Sequence, residues 1–270
     1  MHPDFRKLAA LRRFVTKGDP RSAEDFGRAA AARWVARHAP AIPDGVTIEK
    51  TAFGRRITPA GAGPDRLIYI HGGGLVYYDT EVFSALLGQI AAQTGFEVLA
   101  LDYPKAPETP AQQILAHLGL SLQTLLAADP AARIILAGDS VGGLLAAHLA
   151  RIFGSRIDAL HLLYPVTALA TDPGDPHGSG HFLDTDMMDW FYGFIAPLGA
   201  APMYLPETIV HIAQADILAP QARHYAQMAK AEVIVHPGLP HDFALFSGSS
   251  EVAATAVAQI AARLKAPSYA

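Results

Sequence analysis

The stretch Gly138-Asp139-Ser140-Val141-Gly142 decides the fold of this chain. It directly follows the apolar run Ile134-Ile135-Leu136-Ala137, typical of a buried strand, and precedes the small-residue segment 144–150, typical of a helix. Glycines let the backbone of such a turn approach its neighbours closely, and this lifts the serine hydroxyl out at the carboxyl end of a sheet. Ser140 is therefore a candidate nucleophile. The same short pattern also occurs in ordinary glycine-rich turns. Other motifs in the chain are needed to distinguish a nucleophile turn from such a turn.

The composition indicates one globular domain with a large core, since 51% of the 270 residues are hydrophobic and 17% are charged. A net charge of −4 without a dense Lys/Arg block argues against a nucleic acid partner. The absence of cysteine excludes disulfides, thiolate metal sites and a cysteine nucleophile. No stretch approaches the roughly 20 apolar residues of a membrane span, and the amino terminus lacks the apolar segment of a signal peptide. The expectation is a cytoplasmic protein without integral membrane association, and a homodimer is left open.

Strands and helices alternate along most of the chain, which predicts an α/β fold with about eight strands in a mostly parallel sheet, covered by helices on both faces. Ligands of such sheets bind beyond the carboxyl ends of the strands, so candidate chemistry is sought there. The predicted strands are 46–53 and 55–58, a hairpin around Gly54, then 67–70, 97–101, 133–137, 159–164, 208–213 and 232–236. The predicted helices between and after them are 81–93, 111–128, 144–152, 219–230 and 251–265.

Two segments outside this alternation predict a small helical cap. Helices are expected over about the first 20 residues and over 22–39, the second with Ser22 as N-cap and Asp25 three residues on. The first has an apolar stripe and a basic face, which fits a helix covering an apolar pocket, with a membrane-surface helix as the alternative. The insertion 171–206 resembles a lid. The predicted division is cap helices over 1–45 and a catalytic domain over 46–270, with a cap insertion at about 168–206.

A second glycine-rich loop, His71-Gly72-Gly73-Gly74, follows the strand 67–70. The bare N–H groups of Gly73, Gly74 and Val141 are predicted to converge on the oxyanion that forms when an acyl carbonyl is attacked. The alternative is a flexible glycine loop. His71 is expected to fix this loop by hydrogen bonding.

The acid and base that would activate Ser140 are sought in the order serine, acid, histidine, which is usual for a serine on such a turn. Asp216 lies after Ser140 and at a strand end. His241 lies in the loop after the last strand, with His236 and His224 as rivals for the base. An imidazole must take the hydroxyl proton and a carboxylate must orient the imidazole. The three groups predict acyl transfer to water through an acyl-enzyme on Ser140.

Large apolar side chains near these strand ends are candidates for a substrate pocket. They are Tyr77, Tyr78, Met187, Trp190, Phe191, Phe194 and Phe243. Acidic residues and histidines between Thr171 and Asp189 lack the spacing of metal ligands, so neither a metal nor another cofactor is predicted. Glu108 and Asp139 are expected to brace turns by hydrogen bonds.

Over most of its length the sequence resembles the α/β-hydrolases of the hormone-sensitive-lipase family, whose signatures are an H-G-G-G loop and a G-D-S-A-G-G elbow. The matching segments, in the family's order, are 71–74, Tyr103 with 106–108, 138–143, 216–218 and 241–243. The resemblance implies the α/β-hydrolase fold and a carboxylesterase for short- to medium-chain acyl esters. It implies the same triad and oxyanion donors, and a cap built from the amino terminus and an insertion after the sixth strand.

The sequence departs from the family pattern at three places. Val141 replaces the usual alanine and is expected to narrow the space beside the acyl carbon. Pro104-Lys105 stands where Arg-Leu is typical, which affects local loop packing, and Ala219 replaces an acidic residue. None of them removes a catalytic group. The small-molecule substrate is expected to be an ester, and two other functions stay open: an amidase or formamidase with the same triad, and a ligand receptor that keeps the fold without catalysis.

Overall fold

The computed structural model describes residues 1–15, 19–22, 25–130, 132–171, 175–178 and 182–266, without the side chains of 13–15. Eight strands form one sheet within these residues. They are β1 (Val46–Thr51), β2 (Gly54–Pro59), β3 (Arg66–Ile70), β4 (Glu97–Leu101), β5 (Ile134–Asp139), β6 (Ala159–Leu163), β7 (Glu207–Ala213) and β8 (Glu232–His236). The strand order is β1-β2-β4-β3-β5-β6-β7-β8. The pairs β1–β2 and β2–β4 are antiparallel, and all other neighbouring strands pair in parallel.

Helices cover both faces of this sheet because side chains alternate along each strand. The helices are α1 (Pro3–Val15), α2 (Arg28–Ala36), α3 (Thr80–Thr94), α4 (Ala111–Ala128), α5 (Val141–Phe153), α6 (Thr185–Ile195), α7 (Ala219–Ala229) and α8 (Glu251–Lys265). On β3, Ile68 and Ile70 belong to the core cluster that contains residues of α4, α5 and α7, whereas Leu67 and Tyr69 belong to the cluster that contains residues of α3 and α8. The predicted α/β-hydrolase fold is confirmed. Among the described residues, no helix has the length and apolar character needed to cross a bilayer.

The predicted start of the second helix is wrong. Ser22 ends a short 3₁₀ turn, and α2 begins at Arg28, after Gly27 in the left-handed region with φ 73°. The carboxylate of Asp25 accepts hydrogen bonds from the N–H groups of Gly27 and Ala29, at 2.9 and 3.2 Å. Asp25 thus stabilises a turn where the pattern predicts a helix, because short acidic side chains compete for backbone donors. Positions 23–24 of this predicted helix lie outside the described residues, as do 16–18 of the first.

The amino-terminal helices meet the insertion between β6 and β7. Phe5 of α1 contacts Phe182 with ring centroids 5.5 Å apart, and the Arg12 guanidinium donates to the carbonyl oxygen of Phe182 at 2.7 Å. Phe26, just before α2, packs against Trp190 of α6. Positions 172–174 and 179–181 of the predicted insertion lie outside the described residues. The division into a cap and a catalytic domain stays a prediction.

Candidate active site

Ser140 occupies a strained turn between β5 and α5. Its φ of 53° lies in the left-handed region that residues with a side chain rarely adopt. A Cβ atom at position 142 would overlap the carbonyl oxygen of Ile70, and one at 138 would overlap that of Gly142, so both flanking positions require glycine. The Ser140 N–H donates to the carbonyl oxygen of Leu163 on β6 at 2.9 Å. The neighbouring strands therefore hold the serine in this conformation.

A hydrogen-bonded relay connects the hydroxyl of Ser140 to two side chains from other strand ends. His241 Nε2 lies 3.0 Å from Ser140 Oγ, and His241 Nδ1 lies 2.7 Å from Asp216 Oδ2. The second carboxylate oxygen of Asp216 accepts the N–H of Leu218 at 3.0 Å, which fixes the carboxylate. All three side chains are almost fully buried. The carboxylate accepts the proton of Nδ1, so Nε2 carries the lone pair that can take the hydroxyl proton.

The pKa of His241 reflects two opposing influences. Burial disfavours the imidazolium and lowers the pKa, whereas the nearby negative charges of Asp216 and Asp242 and the hydrogen bond to Asp216 raise it. The net result is a pKa raised to about 9. Asp242 Oδ1 lies 3.5 Å from His241 Nε2, the nitrogen that faces Ser140. A proton that Nε2 takes from the serine is therefore well stabilised.

The proposed oxyanion donors lie at the ends of neighbouring strands. β3 and β5 are adjacent and parallel, with Ile70 opposite Gly138, so the loop after β3 reaches the serine turn. The N–H groups of Gly73, Gly74 and Val141 donate to no other described residue. Gly73 and Gly74 line the same cavity as Ser140, and a Cβ atom at position 74 would overlap the ring of Phe191. The loop and the serine turn thus line one cavity, and the role of the three N–H groups as oxyanion donors stays a prediction.

The side chain of Val141 does not narrow the acyl site, contrary to the sequence-based expectation. It is fully buried and packs in the core under α5. It does not line the cavity at Ser140. The side chain thus belongs to the core, and the part of Val141 proposed to contact a substrate is its N–H.

Hydrogen bonds hold the residue that precedes the glycine donors from both sides. The Gly72 N–H donates to Asp139 Oδ1 at 2.9 Å, and the hydroxyl of Tyr69 donates to the same oxygen at 2.8 Å. The Nδ1 atom of the buried His71 lies 2.8 Å from the carbonyl oxygen of Gly72. Asp139 and His71 therefore brace the loop. Glu108 instead pairs with Arg28 of α2, 2.7 Å away.

A cavity of about 510 Å³ opens above Ser140 and His241. Four of the predicted pocket residues line it, namely Tyr77, Tyr78, Met187 and Phe191. Trp190, Phe194 and Phe243 do not line it, so these three predictions are wrong. Trp190 packs against Phe191 and Phe194, and Phe243 is fully buried between Tyr164 and His236. An aromatic residue type predicts burial, but it does not tell a cavity wall from the core behind it.

Other lining residues were not predicted from the sequence. They include Arg12, Arg33, Trp34 and Arg37 of the amino-terminal segment, Phe182 and Leu183 of the insertion, and Asp242. The spacing of Arg33 and Arg37, one helical turn apart, places both on one side of α2 and was a usable signal. The sequence could have predicted that Asp242 lies near the base, because it directly follows His241.

The rival bases do not reach the serine. His236 is buried at the end of β8, where its Nε2 lies 3.3 Å from Nδ1 of His211. His224 is exposed on α7. Neither hydrogen-bonds to Ser140, whereas His241 does.

Comparison with known proteins places this geometry in a family. Residues 67–245 match a family described as alpha/beta hydrolase fold. Ethyl acetate hydrolase from Pseudomonas putida is 32% identical over 215 residues, which cover 68% of this chain and 67% of that protein. Hormone-sensitive lipase from Bos taurus is 33% identical over 125 residues, which cover 42% of this chain and 16% of that protein.

The fold agrees over nearly the whole length with a solved structure. A crystal structure described as hormone-sensitive lipase from a metagenome library has a TM-score of 0.87 at 24% identity, covering 98% of each chain. At 24% identity, this structural similarity shows only the fold. The activity class is inferred from the relatives found by sequence. The chain belongs to the α/β-hydrolase family and, within it, to the hormone-sensitive-lipase-like esterases, which makes it a carboxylic ester hydrolase.

Proposed function

We propose that the protein hydrolyses small-molecule carboxylic esters with short- to medium-chain acyl groups through a covalent acyl-enzyme on Ser140. The observation that carries the proposal is the relay Ser140–His241–Asp216, with contacts of 3.0 and 2.7 Å at the floor of a cavity. A relative that is 32% identical is named ethyl acetate hydrolase, which supports a short acyl group.

Each group has a definite role in the proposed reaction. His241 Nε2 takes the proton of Ser140 Oγ as the oxygen attacks the acyl carbon, and the N–H groups of Gly73, Gly74 and Val141 stabilise the resulting oxyanion. The C–O bond to the alcohol breaks, and His241 returns the proton to the leaving alcohol. Water then attacks the acyl-enzyme with His241 again as base, which releases the acid and restores the serine.

The cavity supports a limit on acyl size. Its volume of about 510 Å³ is shared between the acyl and alcohol parts, and the walls near Ser140 are aromatic. Against apolar walls, the binding of an alkyl chain improves with the apolar area that the chain buries. The gain ends when the chain is too long to fit in the cavity. We expect kcat/KM for p-nitrophenyl esters to peak between acetate and octanoate and to be far lower for palmitate.

The Ser140→Ala variant tests the proposed nucleophile. It is expected to lose at least ~10⁴-fold in kcat/KM toward p-nitrophenyl butyrate, because it lacks the hydroxyl that attacks the acyl carbon. Ser155→Ala, in an exposed turn after α5, is the matched control and should keep wild-type turnover. Turnover retained in folded Ser140→Ala contradicts the proposal. A higher kcat/KM for a matched amide or formamide than for the ester would contradict the esterase proposal and favour an amidase or formamidase.

A further inference from the structure

Lys105 lies half-buried beneath the oxyanion loop, at one of the positions where this chain departs from its family. Its Nζ atom lies 3.1 Å from His71 Nε2 and donates to the carbonyl oxygen of Tyr103 at 2.8 Å. The same ammonium sits 3.7 Å from the centroid of the Tyr103 ring, against which the His71 ring stacks with centroids 4.3 Å apart. Three contacts therefore place one cation beside the imidazole.

This contact determines which nitrogen of His71 carries the proton. An ammonium group has only donors, so Nε2 of His71 must be the acceptor. The proton of the neutral ring then lies on Nδ1, which donates to the carbonyl oxygen of Gly72 at 2.8 Å. The ring is neutral because burial, together with the charge of Lys105, holds the pKa of His71 well below its usual value.

The orientation of the Gly72 carbonyl fixes the orientation of an oxyanion donor. The peptide unit is planar and trans, so the Gly72 C=O and the Gly73 N–H point in opposite directions. The Gly72 carbonyl accepts the His71 N–H on one side of the loop. The hydroxyl of Tyr103 donates to the neighbouring carbonyl oxygen of His71 at 2.9 Å and lies 3.3 Å from that of Gly72, on the same side. The Gly73 N–H is therefore directed to the other side, where Gly73 lines the cavity above Ser140.

We propose that Lys105 is a positioning residue for the oxyanion hole: by donating to His71 Nε2 it selects the Nδ1–H tautomer, which holds the Gly72–Gly73 peptide with its N–H toward the substrate. The proposal rests on the proposed function, since it concerns the same oxyanion site. It assigns a role to a side chain that the triad and the glycine donors do not use.

A competing arrangement is present in the structure. Asp102 Oδ1 lies 3.9 Å from His71 Nε2, and a carboxylate favours a proton on the nitrogen that faces it. Without the ammonium, the Nε2–H tautomer gains this partner. Nδ1 then presents a lone pair to the Gly72 carbonyl oxygen, and the two acceptors repel. The pKa of Lys105 is lowered to about 8 by burial, so the side chain still carries its proton at neutral pH.

The first readout is kinetic. Lys105→Met removes the donor with little change in side-chain volume. We expect kcat for p-nitrophenyl butyrate to fall roughly 10- to 100-fold, at most the effect of losing one oxyanion donor, with KM nearly unchanged. Lys105→Arg keeps a donor and is expected to restore much of the rate. Lys50→Met, an exposed lysine of β1, is the matched control and should leave kcat unchanged.

The second readout needs no turnover. Two-bond ¹⁵N–¹H correlation spectra of ¹⁵N-histidine-labelled protein distinguish the tautomers, and the His71 signals are assigned from their loss in His71→Gln. We expect Nδ1–H in the wild type and in Lys105→Arg, and a shift toward Nε2–H in Lys105→Met. If the methionine variant does not fold, Lys105→Leu carries both measurements.

The outcomes separate this proposal from the proposed function. An Nε2–H tautomer in the wild type, an unchanged tautomer in folded Lys105→Met, or a changed tautomer with full kcat overturns the role of Lys105. A wild-type protein that hydrolyses none of the esters contradicts the proposed function instead, and the tautomer spectra then decide on Lys105 by themselves.

Discussion

The charge next to His241 determines the pH at which this site can work. The base must be neutral to accept the proton of Ser140, yet the carboxylates of Asp216 and Asp242 favour the imidazolium strongly enough to hold the pKa of His241 at about 9. Asp216 is needed to orient the ring. Asp242, 3.5 Å from Nε2, contributes charge without a hydrogen bond to Nδ1. The two acids therefore act on the same imidazole by separable routes.

Asp242→Asn is expected to shift the activity profile toward acid. The free enzyme is active when His241 is unprotonated, so kcat/KM of the wild type should rise with pH through the pKa of about 9. Loss of the nearby negative charge makes the imidazolium less favourable, which lowers the apparent pKa by roughly one pH unit. The measurement is kcat/KM from pH 6 to 10. Asp189→Asn, exposed on α6, is the control, and an unchanged profile in Asp242→Asn contradicts this electrostatic account.

The catalytic residues could be predicted from the sequence because each follows a strand end. The pocket residues could not all be predicted, because only their residue type pointed to the cavity. Ser140, Asp216 and His241 each follow a predicted strand, and parallel strands bring such positions to one edge. Phe243 and Trp190 are aromatic and close in sequence to the site, but side-chain direction within a loop or helix decides whether they face the cavity. The start of α2 was missed because Asp25 caps a turn that the pattern does not reveal.

The serine turn depends on the close contact of α5 with β3. The first turn of α5 packs against the backbone after Ile70, with no room for a side chain at position 142. The same chain contains a glycine that nothing restricts. Gly193 lies exposed in α6, and a Cβ atom built there meets no atom within 4 Å.

These two glycines give predictions of opposite sign. Gly142→Ala is expected to lower the free energy of unfolding by about 3 kcal/mol, because the methyl group must displace the β3 backbone. Gly193→Ala is expected to raise it by about 0.5–1 kcal/mol, because alanine loses less backbone freedom in a helix. Urea unfolding followed by circular dichroism measures both. Equal effects of the two substitutions would show that the turn is not closely packed.

Across the whole molecule, a row of buried histidines makes stability depend on pH. His161, His211 and His236 lie on the adjacent strands β6, β7 and β8, with ring nitrogens 3.2 and 3.3 Å apart along the row. Burial lowers the pKa of His161 to about 3 and that of His236 to about 4, and it holds the pKa of His211 well below its usual value. Below the usual pKa of about 6.5 the unfolded chain binds protons that the folded protein excludes.

Stability is therefore expected to fall as the pH drops from about 6.5 toward 4, by up to ~1.4 kcal/mol per pH unit for each buried histidine. His161→Gln removes one of these protons and should reduce the slope of the unfolding free energy against pH by about that amount. Urea titrations between pH 6.5 and 4.5 give the slope. The exposed His224→Gln is the comparison, and an equal slope in His161→Gln and wild type contradicts the assignment.

The proposed reaction requires that Ser140 is covalently acylated and that His241 acts as its base. Intact-protein mass spectrometry after treatment with an alkyl fluorophosphonate tests it most directly, with peptide mapping of the adduct. We expect one adduct per chain, located on Ser140, absent in Ser140→Ala and formed much more slowly in His241→Asn. An adduct on another residue, or equally fast labelling in His241→Asn, would contradict it.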